Sequence, residues 1–586
     1  MSFHENLITL LKTHDAFVDI EGDLLQSAVI DAAYKINPDL IKLLISDPAI
    51  KKKFFSEIEK HRVFDINTFV DYVADKNFLN DSYTKFKNKI GLTIDEKSLR
   101  ERGEVALVRP YKDCILEGGM TKEDQKRKEI FFNQVLAQDE IDKLLEPKVL
   151  TNRKRYTVDG EQAVREIKRD EEGTIRENLI IKGNNLLALH SLKKEFSGKI
   201  KLIYIDPPFN TGNDTFGYND SFGHSARLTF MKNRLEVAKD LLSSDGNIFI
   251  HIDINEIHYL KVLCDDVFKR ENFVEEIIWA YGSPSGGRAA GAKPVNIHDT
   301  ILHYAKDYSQ RTQNKVYIPY SEKYVADWFK YTDDDGRKYQ RRMRGKDENG
   351  NSIWVKQYLD ESKGVPLSTV WTDIKQVYAD PRAYKENQSH HTELMRDFSG
   401  GQKPESLLKR IIEMTTNEGD IVLDYHLGTG TTVAAAHKTG RQYIGIEQMD
   451  YIDSYTVNRL KDIIQGKQTG ISKEIDRQGG GDFIYCELAK YNENFIDRIK
   501  EAVDTKKLLS IREDMKEKSF LDRNVDLSEL ETAMEEFMGL SLDKQKQALV
   551  ELLNKNQLYI NLSDRDDQDF AISEEDKEMN RKFYQL

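Results

Sequence analysis

Short apolar runs alternate with segments of helical period through the middle of the chain. Between Asn178 and Glu447 the runs are NLIIKG, KLIYID, NIFIHIDI, DTILHYA, DIVLDY and QYIGIE, each flanked by Gly, Asp or Asn. Apolar runs of this length suit strands buried on both faces. Their alternation with helices predicts a mostly parallel α/β sheet covered on both sides. The rhythm stops between about Ala305 and Ser399, where Tyr, Lys, Asp and Arg mix without a sustained period, so an inserted domain is expected there. Before the sheet, Leu7, Leu10 and Leu11, then Leu40, Leu43 and Leu44, stand at helical spacing. From Val105 to about Tyr156 come strand-like VALV and CILE, a predicted helix KEIFFNQVLAQDEIDKLL, and the basic stretch TNRKRY. After Tyr451 follow a turn at Gly479–Gly481 and further helices, one capped by Asp526 and one presenting Leu549, Leu552 and Leu553; the acidic tail from Asp564 reads as mobile.

These patterns divide the chain into a helical domain over 1–95, a connecting region over 96–177, and an α/β domain in two halves, 178–305 and 399–454. An insertion over 306–398 separates the halves, and a helical domain covers 455–586. A chain of 586 residues is too long for one ordinary core, which agrees with several units. The net charge of −13 does not itself suggest nucleic acid, so any surface for a polyanion must be local. Cys114, Cys264 and Cys486 lie far apart without CxxC spacing, so neither zinc nor a disulfide framework is expected. His251, Asp253, Glu256 and His258 in HIDINEIH read as a strand-to-helix transition with a capping Asp. His390 and His391 read as loop, and DRDDQD lacks the Gly and final Glu of a calcium loop; no metal is expected. With no run near the ~18 apolar residues of a membrane span and no export signal, a cytoplasmic location without membrane contact is expected.

Ligands of parallel α/β sheets bind beyond the carboxyl ends of the strands, and two strand ends here are unusual. LIYIDPPF places two of the chain's 12 prolines side by side. Proline lacks an N–H and fixes its own φ, so Pro207 and Pro208 end sheet pairing and stiffen the loop. The Asp206 carboxylate and the Pro207 carbonyl then form two convergent acceptors beside Phe209, a fit for a planar ring bearing an exocyclic amine, such as adenine. The second end, IVLDYHLGTGTT, has Gly428 and Gly430 for a tight turn into a helix, with Thr431 and Thr432 at its start. Asp424 ends this strand and Glu447 the next, 23 residues on, where an acid can bind ribose hydroxyls. From this half alone, a redox dinucleotide fits as well as any other adenosyl ligand.

DPPFNTG, followed by LDYHLGTGTT and YIGIEQMDY, resembles the amino-methylating DNA methyltransferases, and specifically the Mod subunits of type III restriction-modification systems. The resemblance extends to NLIIKGNNLLALHSL, HIDINEIHYLKVLCDDVF, KPESLLKRIIEMTT, PYKDCILEGGMTKED and LLEPKVLTNRKRY, covering about Gly103 to Asp450. It implies a Rossmann-like methyltransferase sheet in the permuted β-class order, with the target recognition domain in the 306–398 insertion. S-Adenosylmethionine is then expected at Asp424, Gly428, Gly430, Thr431, Thr432 and Glu447, with Lys403 near its methionine end and a flipped adenine at Asp206–Phe209. Duplex DNA and a nuclease-helicase restriction subunit are the implied partners; a homodimer is expected separately, through the helical ends 1–95 and 455–586. N4-cytosine methylation, a mainly recognition or assembly role, and a solitary methyltransferase are alternatives. Three residues depart from the family's usual Phe, Asp and Tyr: His426, Asn184 and Phe209.

Sequence reading needs a basic surface. GRKYQRRMRGK, Gly336–Lys346, has six basic residues and no acid within the expected recognition segment. Arg337, Arg341, Arg342 and Arg344 are its candidate DNA contacts, since Arg can clamp phosphates or bond guanine edges.

Overall fold

The structure, a computed structural model, describes residues 3–18, 24–58, 61–74, 93–94, 97–98, 115–117, 130–132, 138–209, 224–282, 294–377, 401–521, 534–554 and 557–586. The VALV run, Asp526, His390 and His391 lie outside them. The chain forms two compact units, Met1–Asp113 and Cys114–Leu586, a division later than the boundary expected at residue 95. Among the described residues no helix is long and apolar enough to cross a membrane.

In the first unit, Leu7, Leu11, Leu40 and Leu44 are fully buried with Phe54 and Phe69, while Leu10 and Leu43 sit at the margin of that core. Asn37 and Asp47 cap helices Pro38–Ser46 and Pro48–Phe54, each accepting two backbone N–H bonds ahead of a proline at the first turn. The unit is not purely helical. Phe55–Ile58 pairs antiparallel with His61–Phe64, a hairpin whose short alternation is masked by the flanking helical period.

The second unit is built on an eleven-stranded sheet. In order across it run Val370–Trp371, Phe273–Ala280, His298–Ala305, Leu242–Ile252, Ile200–Ile205, Ile421–Asp424, Gln442–Glu447, Leu179–Lys182, Phe483–Leu488, Leu150–Thr157 and Gly160–Ala163. The six from Leu242–Ile252 to Phe483–Leu488 are parallel. Antiparallel strands flank them on both sides. Alternate residues feed two cores. Ile203, Ile205, Ile248 and Ile250 pack with helices Asn185–Phe196, His224–Leu241 and Ile257–Phe268. Leu202, Tyr204, Phe249 and Val422 pack with Glu405–Thr415, Thr431–Lys438 and Asn458–Ile464.

Several expectations are corrected. Phe483–Leu488, in the segment expected to be helical, lies inside the sheet, and Leu150–Thr157, in the expected connecting region, pairs with it. The tail is not loose: helix Glu574–Tyr584 buries Met579, Phe583 and Tyr584 in the sheet's core, and the Asn580 side chain bonds both the N–H and the carbonyl of Leu150. Its acidic outer face conceals that apolar spacing. Ile130–Phe132, expected to be helical, pairs with Ile115–Glu117, while Gln138–Leu145, from the same expected helix, is helical. Within the insertion, Tyr331–Thr332, Lys338–Lys346 and Ser352–Tyr358 form a separate three-stranded sheet, before Val370–Trp371 returns as an edge strand of the main one.

Ile200–Ile205 and Ile421–Asp424 pair side by side, Leu202 opposite Val422 and Ile203 opposite Leu423. The chain leaves the first through a helix on one face and the second through a helix on the other. That reversal opens a crevice beyond their carboxyl ends.

Candidate active site

Asp206 and Asp424 stand at the two strand ends flanking this crevice, which holds a cavity of about 160 Å³. Asp206, Pro208, Lys403, Asp424, Gly428, Thr431, Thr432 and Glu447 all line it. Pro207 is buried and is not among the lining residues, and among the described residues no donor takes its carbonyl. The Pro208 carbonyl accepts from Arg227 at 2.7 Å.

The glycine loop is braced mostly by itself. Asp424 accepts from the His426 N–H at 2.9 Å and from the Thr432 hydroxyl at 2.5 Å. Burial, with repulsion from Asp206 and Glu447, pushes the Asp424 carboxyl up to about 7. Glu447 accepts from the N–H groups of Gly428, Gln448 and Met449 and from the Tyr451 hydroxyl, yet burial still raises its pKa. Gly428 and Gly430 both take positive φ, +55° and +77°. A Cβ at Gly428 would meet nothing within 4 Å, so its bare side faces open space; at Gly430 it would strike Thr456 at 2.7 Å, so this glycine serves packing behind the loop. Thr431 accepts from Arg459 at 3.0 Å.

Lys403 ties the halves together. Its ammonium donates to Asp206 at 2.7 Å and lies 4.9 Å from the centre of the Phe209 ring. Two residues on, Glu405 is wholly buried and pairs with Lys438 at 2.7 Å and Arg459 at 2.8 Å, and it accepts the Ile471 N–H. Through Arg459 it also reaches Thr431. One buried network thus fixes both the segment carrying Lys403 and the start of the glycine-loop helix.

Sequence reasoning missed what stands behind Phe209. His251 lies between the Tyr204 hydroxyl at 2.9 Å and Asp299 at 3.0 Å, stacked on the Phe209 ring with centroids 5.9 Å apart. Burial opposes ionisation of Asp299, but the His251 hydrogen bond and the Lys403 charge hold its pKa below the usual range. An ionised Asp299 accepts from the His251 Nε2–H. Asp253 does bond the Asn255 N–H, but the helix begins at Ile257 without a side-chain cap, so the predicted cap is a turn ahead of the helix. Position 251 carried a signal in the HIDINEIH cluster; its partner at 299 lies on another strand. Of the departures, Asn184 caps helix Asn185–Phe196, while Asn185 lines the cavity. His426 also lines it, kept neutral by burial and by Arg234 and Arg227.

The four arginines of the insertion differ. Arg337 is clamped by Asp360 at 2.7 and 2.8 Å and by Glu361, over the Tyr358 ring. Arg341 lies 4.7 Å from the Tyr331 centroid. Arg342 and Arg344 are exposed on the Lys338–Lys346 strand, without a partner among the described residues.

Comparison with known proteins gives the family. A family model described as DNA methylase matches residues 200–457, and one described as type III restriction/modification enzyme methylation subunit matches 37–92. The probable type III restriction-modification enzyme HindVI Mod subunit of Haemophilus influenzae is 37% identical, over 96% of this chain and 95% of that protein. The EcoP15I Mod subunit of Escherichia coli is 30% identical over 36% of each. The solved structure of the PvuII DNA methyltransferase (cytosine-N4-specific) is 14% identical with a TM-score of 0.33, covering 51% of this chain and 90% of that one. Given the likeness to the HindVI subunit along almost its whole length, the chain belongs to the Mod subunits of type III restriction-modification enzymes and is a DNA methyltransferase.

Proposed function

We propose that the chain transfers a methyl group from S-adenosylmethionine to the N6 amino group of adenine in duplex DNA, as the modification and recognition subunit of its system. The observation that carries this reading is one cavity lined by Asp206 and Pro208 at the first strand end and by Gly428, Thr431, Thr432 and Glu447 at the second. The residues present fit the cofactor. Glu447 is a buried acceptor at the strand end where a ribose diol would lie, Gly428 turns a bare face to open space, and three carboxylates suit a cation. Asp424 and Thr432 hold the loop's shape, and Gly430 lets it pack against Thr456.

When bound, the cofactor supplies a methyl group already activated on a sulfonium, so alignment matters more than a strong base. The adenine amine is a poor nucleophile, because its lone pair is delocalised into the ring. Hydrogen bonds from its two N–H groups to Asp206 and to the Pro207 carbonyl favour a pyramidal nitrogen with its lone pair aimed at the methyl carbon. Orientation of this kind contributes roughly 7 to 11 kcal/mol. Flipping costs a few kcal/mol, and stacking on Phe209 returns about 1 to 3 kcal/mol. Arg342 and Arg344, unclaimed on the insertion's hairpin, are the arginines proposed to meet DNA; Arg341 adds a stacked cation beside them, and Arg337 serves mainly to hold the hairpin.

The test is transfer of labelled methyl from S-adenosylmethionine to duplex DNA, followed by digestion to nucleosides. N6-Methyladenine is expected, with activity lost in Asp206→Ala. N4-Methylcytosine would replace the adenine assignment, and full activity in the mutant would refute the mechanism. The proposal includes a nuclease-helicase restriction subunit as partner and a homodimer as the working state, checked by co-purification and by mass in solution.

A further inference from the structure

We infer that Lys403 serves two anions in turn: Asp206 in the free enzyme, and the carboxylate of the adenosyl ligand once that ligand is bound. The inference rests on the cofactor reading above. It begins from a count of charge. Among the described residues lining the cavity, Lys403 is the only lysine or arginine, against Asp206, Asp424 and Glu447. His426 is neutral in its buried position. Among the described residues, a carboxylate entering this cavity thus has one cationic side chain to pair with, and that side chain is engaged with Asp206 at 2.7 Å.

The position of the ammonium gives the exchange a consequence. It is bonded to the carboxylate that the target amine needs, and it lies 4.9 Å from the centre of the ring on which the target base would stack. Lys403 thus borders the place proposed for the base. Drawing it toward a ligand carboxylate frees both Asp206 and the face of Phe209, so a filled cofactor site prepares the base site. By linkage the effect is reciprocal, and whatever releases Lys403 from Asp206 strengthens binding of the carboxylate ligand. The backbone of Lys403 need not move, because Glu405 anchors the segment to Lys438 and Arg459. Only the lysine side chain swings.

Calorimetric titration of the full chain tests this without DNA or turnover. S-Adenosylhomocysteine is one probe, chosen because it has no sulfonium to be attracted by Asp206. Its decarboxylated analogue, S-adenosyl-3-thiopropylamine, is the other. Asp206→Asn is expected to tighten binding of the first probe by about fivefold or more, the low end of ordinary coupling between sites, with no such gain for the second. Lys403→Gln is expected to weaken only the first, and the double variant to bind it no better than Lys403→Gln alone. Asp206→Ser repeats the test with a side chain too short to hold the ammonium, and thermal melting shows that each variant is folded. An Asp206→Asn variant that binds S-adenosylhomocysteine no better than the unaltered chain, or that binds both probes better by the same factor, overturns the exchange. If neither probe binds the unaltered chain, the cofactor reading itself falls.

Discussion

Lys403 and Lys438 each meet an acid at 2.7 Å, yet the two pairs are built for opposite ends. In the second, Lys438 and Glu405 are both wholly buried, with Arg459 on the same carboxylate. In the first, Lys403 keeps 10% of its side-chain surface exposed and Asp206 24%, at the wall of a cavity. A buried pair cannot exchange partners without leaving a charge in low dielectric; a pair at a cavity wall can. Only two positions separate Lys403 from Glu405, so the anchored acid holds the exchangeable lysine in place.

The largest effect should come from breaking the anchored pair. Glu405→Ala leaves Lys438 and Arg459 together in the core and is expected to cost about 3 to 5 kcal/mol of stability, measured by urea unfolding. A loss below about 1 kcal/mol would mean that the network is not an anchor. Asp424, the other strand-end aspartate, provides the next test. Its carboxyl is raised from 3.8 to about 7 in the fold, so the folded state holds the proton more tightly than the unfolded chain. Its contribution therefore favours the fold at low pH and is lost as pH rises from about 4 through about 7. Asp424→Asn should flatten the stability profile across that window, and an unchanged profile would rule out the buried carboxyl as its source. Asp206→Asn should cost less stability than Glu405→Ala, because its pair stands at a cavity wall rather than wholly buried, while methyl transfer is lost. The smallest effects divide the hairpin arginines by the same distinction. Arg342→Ala with Arg344→Ala should lower the salt dependence of duplex binding by about 2 in log–log slope, and Arg337→Ala, already paired with Asp360 and Glu361, should barely change it. Equal slopes for the two variants would erase the contrast.

The apolar runs in the parallel part of the sheet were legible because a strand buried on both faces needs little beyond its own residues to be recognised. DPPF was legible for a similar reason, since proline imposes its geometry locally. Phe483–Leu488 and the tail helix were not. Each lies in a segment whose neighbours carry helical or acidic patterns, and its place depends on Leu179–Lys182 and Leu150–Thr157, hundreds of residues earlier.

The site divides in the same way. By itself the sequence determined the apolar strands of the parallel sheet, the double proline after Asp206, the glycine turn and the basic run Gly336–Lys346, because each follows from short-range sterics, period or charge. Only the tertiary structure decided that Lys403 pairs with Asp206 across 197 positions, that Glu405 is an anchor, that His251 backs Phe209, and which hairpin arginines are already spent. Those outcomes depend on which side chains are brought within about 3 Å of one another and on how much water is left between them. Neither quantity is carried by any local stretch of the chain.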